Sequence, residues 1–388
     1  MNDKKAGIPF WRKAVTWLVR LLTGSLFIFS GFAKAIDPWG TILKVGEYVS
    51  VLGLQIWPSI ILIFVFGLCA VEFVVGCFLL TGCYRKSCPI VAMIIMCFML
   101  PLSAWIMITE PVADCGCFGD AFVVSNQVTF VKNIFICCGL IWLLLNNTKV
   151  ICLITPAFQW LSVVSSGVFI VFIELCGYFY QPLIDFRNYP EGAAIFDTEE
   201  DGEISGGLYV FDIDTDEEVT ELLASKKGPE LWIMIPDVAK VSPATTWKLN
   251  SLYEWSQDNK VGMAAVVSGS KEEIDNWEDL SMAEYPIYLA DDTSIMEVVR
   301  GNPGVVFSED GKIVWKSTLA AINIDDFLSS EVGKSASDFG IDKERLLMNV
   351  IFIYLIIEAF LILISFTPRL ARLLTRGGLA SSKGIRLH

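Results

Sequence analysis

A chain of 388 residues that is 54% hydrophobic yet carries a formal net charge of −14 joins two kinds of sequence, one suited to lipid and one to water. Its one histidine is His388, at the C-terminal end, which argues against His-ligated haem, His-rich metal sites and histidine acid–base catalysis. The polar part holds no Gly-rich phosphate loop, nucleophile elbow or basic patch, so nucleotide hydrolysis, acyl transfer and nucleic-acid binding lose support.

Residues 1–13, "MNDKKAGIPFWRK", form a basic N-terminus. The apolar run behind them is too long for a cleaved leader and lacks a small-residue cleavage pattern, so it is read as a retained first span. A helix needs roughly 20 apolar residues to cross a bilayer, and six runs meet that demand: 14–33, 58–81, 89–108, 128–145, 158–180 and 346–365. The expected organisation is a four-helix membrane unit over 14–146, a fifth span region over 147–180, a polar domain with linkers over 181–343, a sixth span over 344–366 and a basic tail over 367–388. Six spans put Lys4, Lys5, Arg12, Lys13, Arg85, Lys86, Lys149, Arg369, Arg372 and Arg376 on one side. By the positive-inside rule that side is the cytoplasm. The expected location is a bacterial inner membrane, with both termini cytoplasmic and residues 181–343 periplasmic.

With this topology ten of the eleven cysteines have a compartment. Cys115 and Cys117, in "DCGCFGD", face the oxidising side, where disulfides persist. Cys83 and Cys88, in "CYRKSC", face the reducing side as free thiols, and Cys69, Cys77, Cys97, Cys137, Cys138 and Cys176 lie in apolar helices, where a thiol behaves as a small hydrophobe. A disulfide between residues two apart needs a bent backbone, and Gly116 permits one. Such a small ring is strained, and strain favours reduction. Asp114 and Asp120 raise the thiol pKa values through like charge, while a helix beginning near Ser125 or Asn126 opposes them with its positive end. Three readings stay open here: a labile redox pair, a loop staple, and a metal site shared with a partner. A zinc site normally asks four N or S ligands, so no metal is expected from this chain by itself.

Charged groups within spans are costly and point inward to partners. Arg20 and Glu72, on the first and second spans, are expected to meet as an ion pair, either structural or in contact with protons or quinone. Glu174 and Glu358, in the fifth and sixth spans, lack a cation on their own helices; each is protonated, lines a wet cavity, or meets a partner protein.

The pattern R-L-L-x-G-x-x-F-x-x-S-G-x-x-K-x-x-D-P from Arg20 to Pro38, E-x-x-x-G from Glu72 to Gly76, and D-C-G-C-F-G-D from Asp114 to Asp120 together resemble the DoxX/MauE-like membrane family over about 20–145. The resemblance implies a four-helix core and thiol or quinone chemistry, since members are linked to quinone-coupled oxidation and to maturation of disulfide-containing periplasmic proteins. A more distant resemblance is to four-helix disulfide-generating enzymes that reduce quinone. Those use a C-x-x-C and a shuttle pair, whereas this chain has a C-x-C and no second exposed pair.

In the polar domain, strands are expected at "LYVFDI", "ELWIMIP" and "VGMAAVVSG", helices at "DEEVTELLAS", "ATTWKLNSLYEWSQ" and "SKEEIDNWEDL", then a hairpin "GVVFSEDGKIVWKS" turning at Asp310-Gly311 and a short helix from Asp325. Alternating strands and helices predict an α/β sheet. The order resembles the thioredoxin-like fold over about 207–330, and the resemblance makes Pro303 the candidate cis-proline beside a groove for a partner. The C-x-x-C that active members carry after the strand is absent, and residues 181–343 contain no cysteine. This domain cannot exchange disulfides by itself.

The expected protein is therefore a polytopic α-helical membrane protein with a periplasmic thioredoxin-like domain. Electrons from a periplasmic thiol protein would enter at Cys115 and Cys117 and leave through a quinone among the helices, with no haem or metal. The rival is a non-enzymatic assembly factor or scaffold subunit with a structural Cys pair, partnered with another membrane subunit. A transporter is a third reading, resting on Glu174 and Glu358. Contact with the lipid bilayer is common to all, and nucleic acid to none.

Overall fold

The runs too apolar to remain in water become helices of membrane-crossing length. The computed structural model describes residues 9–112, 115–121, 124–146, 151–187, 189–196, 208–329 and 343–382, excluding the side chains of Asp120 and of residues beyond 367. Among the described residues six helices are long and apolar enough to span: α1 Phe10–Ile36, α3 Pro58–Thr81, α4 Ser87–Thr109, α5 Asn126–Asn146, α6 Gln159–Phe179 and the apolar part, Lys343–Thr367, of α12 Lys343–Ser382. Between α1 and α3 lies a helix the periodicity did not suggest, α2 Pro38–Val51, started by Pro38 and by Asp37, whose carboxylate accepts from the Gly40 amide. Asp-Pro is a natural helix start. The chain separates into two compact units, one of residues up to Glu174 plus Leu347 onward, the other Leu175–Leu346.

In the first unit α1 packs chiefly on α3, and glycines set how closely. A Cβ on Gly31 would lie 2.6 Å from the Phe73 backbone nitrogen, and one on Gly76 2.5 Å from that of Ile28. Small residues bring helix backbones together where lipid supplies no hydrophobic drive between them. The outward faces keep large apolar side chains, among them Ile63, Phe98, Ile108 and Phe135, each more than 70% exposed. In a protein with such helices these faces contact the bilayer.

The second unit is built on a six-stranded sheet. Its elements are β1 Phe211–Asp212, α7 Thr220–Ala224, β2 Pro229–Ile235, α8 Pro243–Asp258, β3 Gly262–Val267, α9 Lys271–Ser281, β4 Ile287–Leu289, α10 Asp292–Val298, β5 Gly304–Glu309, β6 Lys312–Thr318 and α11 Ile324–Leu328. The strand order is β1-β4-β3-β2-β5-β6; β2, β3 and β4 are parallel, while β5 and β6 run antiparallel. Alternate residues of β2 serve opposite cores: Leu231, Ile233 and Ile235 pack with α8 and α9 residues, Trp232 and Met234 with α10 residues. The expected α/β sheet and closing hairpin are present. The helix expected from Asp216 begins later, at Thr220, because the Asp212 carboxylate accepts the Asp214 and Thr215 amides and folds that stretch into a turn. β4 and α10 were not expected. β4 is three residues long, too short to show a period.

Candidate functional site

The site begins with the geometry of α1 and α3. Because Gly31 and Gly76 let the helices touch, Lys34 of α1 reaches Glu72 of α3, Nζ to Oε2 2.7 Å, with both side chains about 5% exposed. This corrects the expected Arg20–Glu72 pair. Arg20 sits nearly four turns earlier on α1, donates to the Ile151 carbonyl at 3.0 Å and stacks on the Trp17 ring. Lys34 stands further along the same helix, and the register between the helices sets it, not Arg20, beside Glu72.

Ser30, one turn before Lys34, joins this pair to the Cys-Gly-Cys loop. Its hydroxyl accepts from Lys34 Nζ at 3.0 Å and faces two acceptors, Glu72 Oε2 at 2.9 Å and the Cys117 carbonyl at 2.8 Å. On the loop's other side the Tyr48 hydroxyl of α2 donates to the Cys115 carbonyl at 2.8 Å. Gly116 has φ +59 and lies against the Lys44 side chain; an L side chain there would be strained. Cys115 packs with Ile106 and Val112.

Both cysteines are free thiols, their sulfurs 3.1 Å apart. The two sulfurs are within hydrogen-bonding contact. That contact pulls Cys117 down to about 6, helped by Lys132 and Lys34 against the cost of burial, and pushes Cys115 up. A thiolate is the nucleophile in thiol exchange. Lys132 of α5 also stands 4.0 Å above the Phe118 ring, which meets Phe29 edge-on. Cys117 and Glu72 share a small cavity between α1, α4 and α5, with Leu26, Ile95, Met96 and Lys132 in its walls.

Of the expected site residues, Cys115, Gly116, Cys117 and Glu72 come together. Asp114 and the Asp120 side chain lie outside the described residues. Glu174 is wholly buried with no hydrogen-bond partner on either carboxylate oxygen, near Cys69. Glu358 accepts from Ser162 at 2.8 Å and is also bonded by Ser165. Pro303 belongs to the second unit, where it follows a cis peptide bond from Asn302 and leads into β5. Lys34, Ser30, Tyr48 and Lys132 were missed as site residues, although Lys34 and Ser30 stand in the quoted motif. Among the described residues no group of three or more His, Cys, Asp or Glu side chains converges on a metal-sized space.

A family model described as Methylamine utilisation protein MauE matches residues 12–146. The match runs from the first turn of α1 to the end of α5 and covers every residue of this site. No curated protein matches the chain.

Proposed function

We propose that the protein is an inner-membrane thiol oxidoreductase, in which the MauE-like unit presents Cys115 and Cys117 and the second unit holds a client. The carrying observation is the contact of the two free thiols, 3.1 Å apart, beside the buried Lys34–Ser30–Glu72 array. In its oxidised form the pair accepts electrons from a reduced periplasmic dithiol. A client thiolate attacks one sulfur, the S–S bond breaks, and the second client thiolate closes the client disulfide. Cys115 and Cys117 are left as thiols, holding two electrons and two protons. Cys117, with its depressed pKa, is the better leaving group.

The pair must then be reoxidised. A quinone supplies that chemistry by taking up two electrons and two protons. The cavity beside Cys117 suits a flat apolar ring with carbonyl oxygens, with Leu26, Ile95 and Met96 on its walls and the ammonium groups of Lys34 and Lys132 as donors. The cavity volume is about 40 Å³, too small to enclose such a ring, which would stand at its open mouth. Lys34, Ser30 and Glu72 orient the Cys117 carbonyl and provide groups for moving the released protons. The topology favoured by the basic loops puts the thiol pair and the second unit on the periplasmic side.

The strand order of the second unit, with β3-β2-β5-β6 as parallel pair then antiparallel hairpin, supports a thioredoxin-like reading. The Asn302 amide donates to the Asp237 carbonyl at 2.6 Å, tying the loop before β5 to the stretch after β2. Thioredoxin-like proteins carry their cysteines after that strand. With no thiol there, the groove binds and does not exchange. The rival, a scaffold with a structural Cys pair, draws on the same absence.

Thiol trapping of the purified protein across a dithiothreitol series decides between them. A reduction potential near −200 mV or above marks an exchange-competent pair, and one well below about −300 mV marks a staple.

A further inference from the structure

A second pair of sulfurs lies past the C-terminal end of α3, beside Arg20, about 15 Å along α1 from Ser30 by helix rise. The loop after α3 and the segment after α5 meet there, joined by the Leu153 amide donating to the Thr81 carbonyl at 2.9 Å. This brings Cys83 and Cys152 to 3.9 Å between sulfurs, although 69 residues separate them. Both side chains are buried, Cys83 completely. The Gln159 amide donates to Cys152 at 3.2 Å, while the Cys152 thiol donates to the Ile154 carbonyl at 2.8 Å; the Thr81 hydroxyl, which also donates to the Cys77 carbonyl at 2.8 Å, lies 3.2 Å from Cys83. The Arg20 guanidinium lies over Gly82, whose φ of +72 and absent side chain make room for it, and bonds the Ile151 carbonyl. Cys88, nearby in sequence, turns away to the Val75 carbonyl.

Hydrogen-bond donors and a nearby cation are the surroundings that favour a reactive thiol. The sulfurs need to close from 3.9 Å to about 2 Å to bond. Burial limits which oxidant can enter, since exchange with a bulky disulfide requires access to the attacked sulfur. A small uncharged peroxide meets the limit.

We propose that Cys83 and Cys152 form a second redox site, converted from dithiol to disulfide by hydrogen peroxide or a similarly small hydroperoxide. One thiolate attacks a peroxide oxygen, the O–O bond breaks, and the departing oxygen leaves as water or alcohol, giving a sulfenic acid. The other thiol attacks that sulfur, the S–O bond breaks, and water departs. In sum, two thiols lose two electrons and two protons, and one hydrogen peroxide becomes two waters, or one hydroperoxide becomes an alcohol and a water. The resulting bond clamps the 151–154 segment onto the end of α3, and a dithiol reductant reopens it. This site is independent of the function proposed for Cys115 and Cys117.

The test uses the full chain in detergent, reduced and then exposed to hydrogen peroxide or, separately, to oxidised glutathione. Remaining thiols are alkylated in denaturant, and the digest is read by mass spectrometry. The expected result is a linked peptide pair carrying Cys83 and Cys152 after peroxide, lost on dithiothreitol treatment and absent after glutathione disulfide. Cys115→Ser/Cys117→Ser protein should give the same linked pair, which separates this site from the other. Full alkylation of both cysteines after peroxide, or separate sulfinic acids with no link, overturns the proposal. Linkage by glutathione disulfide equal to that by peroxide overturns the choice of oxidant.

Discussion

Lys34 and Glu72 make a 2.7 Å ion pair between α1 and α3 where neither side chain is more than about 5% exposed. Removing one member of a buried pair leaves an uncompensated charge, at a cost of about 3–5 kcal/mol, whereas replacing both with apolar groups of like volume is far milder. Lys34→Met should therefore lower the thermal midpoint of the detergent-solubilised protein markedly, and Lys34→Met/Glu72→Leu should recover most of the loss. A double variant no better than the single would show that the pair does not couple these helices.

The helix contact that creates this pair depends on particular glycines. Gly31→Ala puts a Cβ 2.6 Å from the Phe73 nitrogen, so the backbones must separate, whereas Gly67 has nothing within 4 Å of its Cβ position. Overpacking of this kind costs about 1–3 kcal/mol. Thermal unfolding should show that loss for Gly31→Ala and almost none for Gly67→Ala. Separation also draws Ser30 from the Cys117 carbonyl, so the potential of the thiol pair should shift in Gly31→Ala alone.

In the reduced protein, Cys117 is held near 6 chiefly by its hydrogen bond with Cys115, with Lys132 assisting. The rate of its alkylation by iodoacetamide should rise with pH through a midpoint close to 6. Cys115→Ala should move that midpoint upward toward the ordinary thiol value of about 8.5, and Lys132→Met should move it less. A wild-type midpoint above 8 would remove the thiolate from the proposed mechanism.

In the second unit, burial tends to raise the Asp185 pKa, but Arg187 and Lys316 outweigh it and hold the carboxylate at about 2. Its bonds run 2.8 Å to Arg187 and 2.5 Å to Lys316. The folded pKa lies below the unfolded value of about 3.9, so the unfolded chain binds more protons as pH falls. The stabilisation is complete above pH 4 and fades between about pH 4 and pH 2. Hydrogen exchange of β2 and β5 amides should accelerate across that window, and Asp185→Asn should flatten the acid dependence while weakening the unit at neutral pH.

Much of this architecture could be read along the chain, because the forces involved are local. Apolar runs of bilayer length marked all six spanning helices, with ends within a few residues except at the last. Period-two apolar stretches and Asp310-Gly311 marked β2, β3 and the β5–β6 hairpin. The "DCGCFGD" loop stood out because paired cysteines rarely sit in polar sequence between greasy segments. Partnership was another matter. Arg20 and Lys34 stand fourteen residues apart on α1, and the pairing of Glu72 with Lys34, not Arg20, depends on the register that Gly31 and Gly76 allow. Cys152 bore no signal, being one thiol in a short connecting segment; its proximity to Cys83 arises where that segment crosses the end of α3. Sequence by itself determined where the chain enters lipid, where it alternates strand and helix, and which loop displays thiols, since hydrophobic period and turn chemistry act over a few residues. Tertiary structure decided which side chains meet, since a contact of 3 Å is set by how closely two backbones approach, and that is a property of neither strand of sequence taken singly.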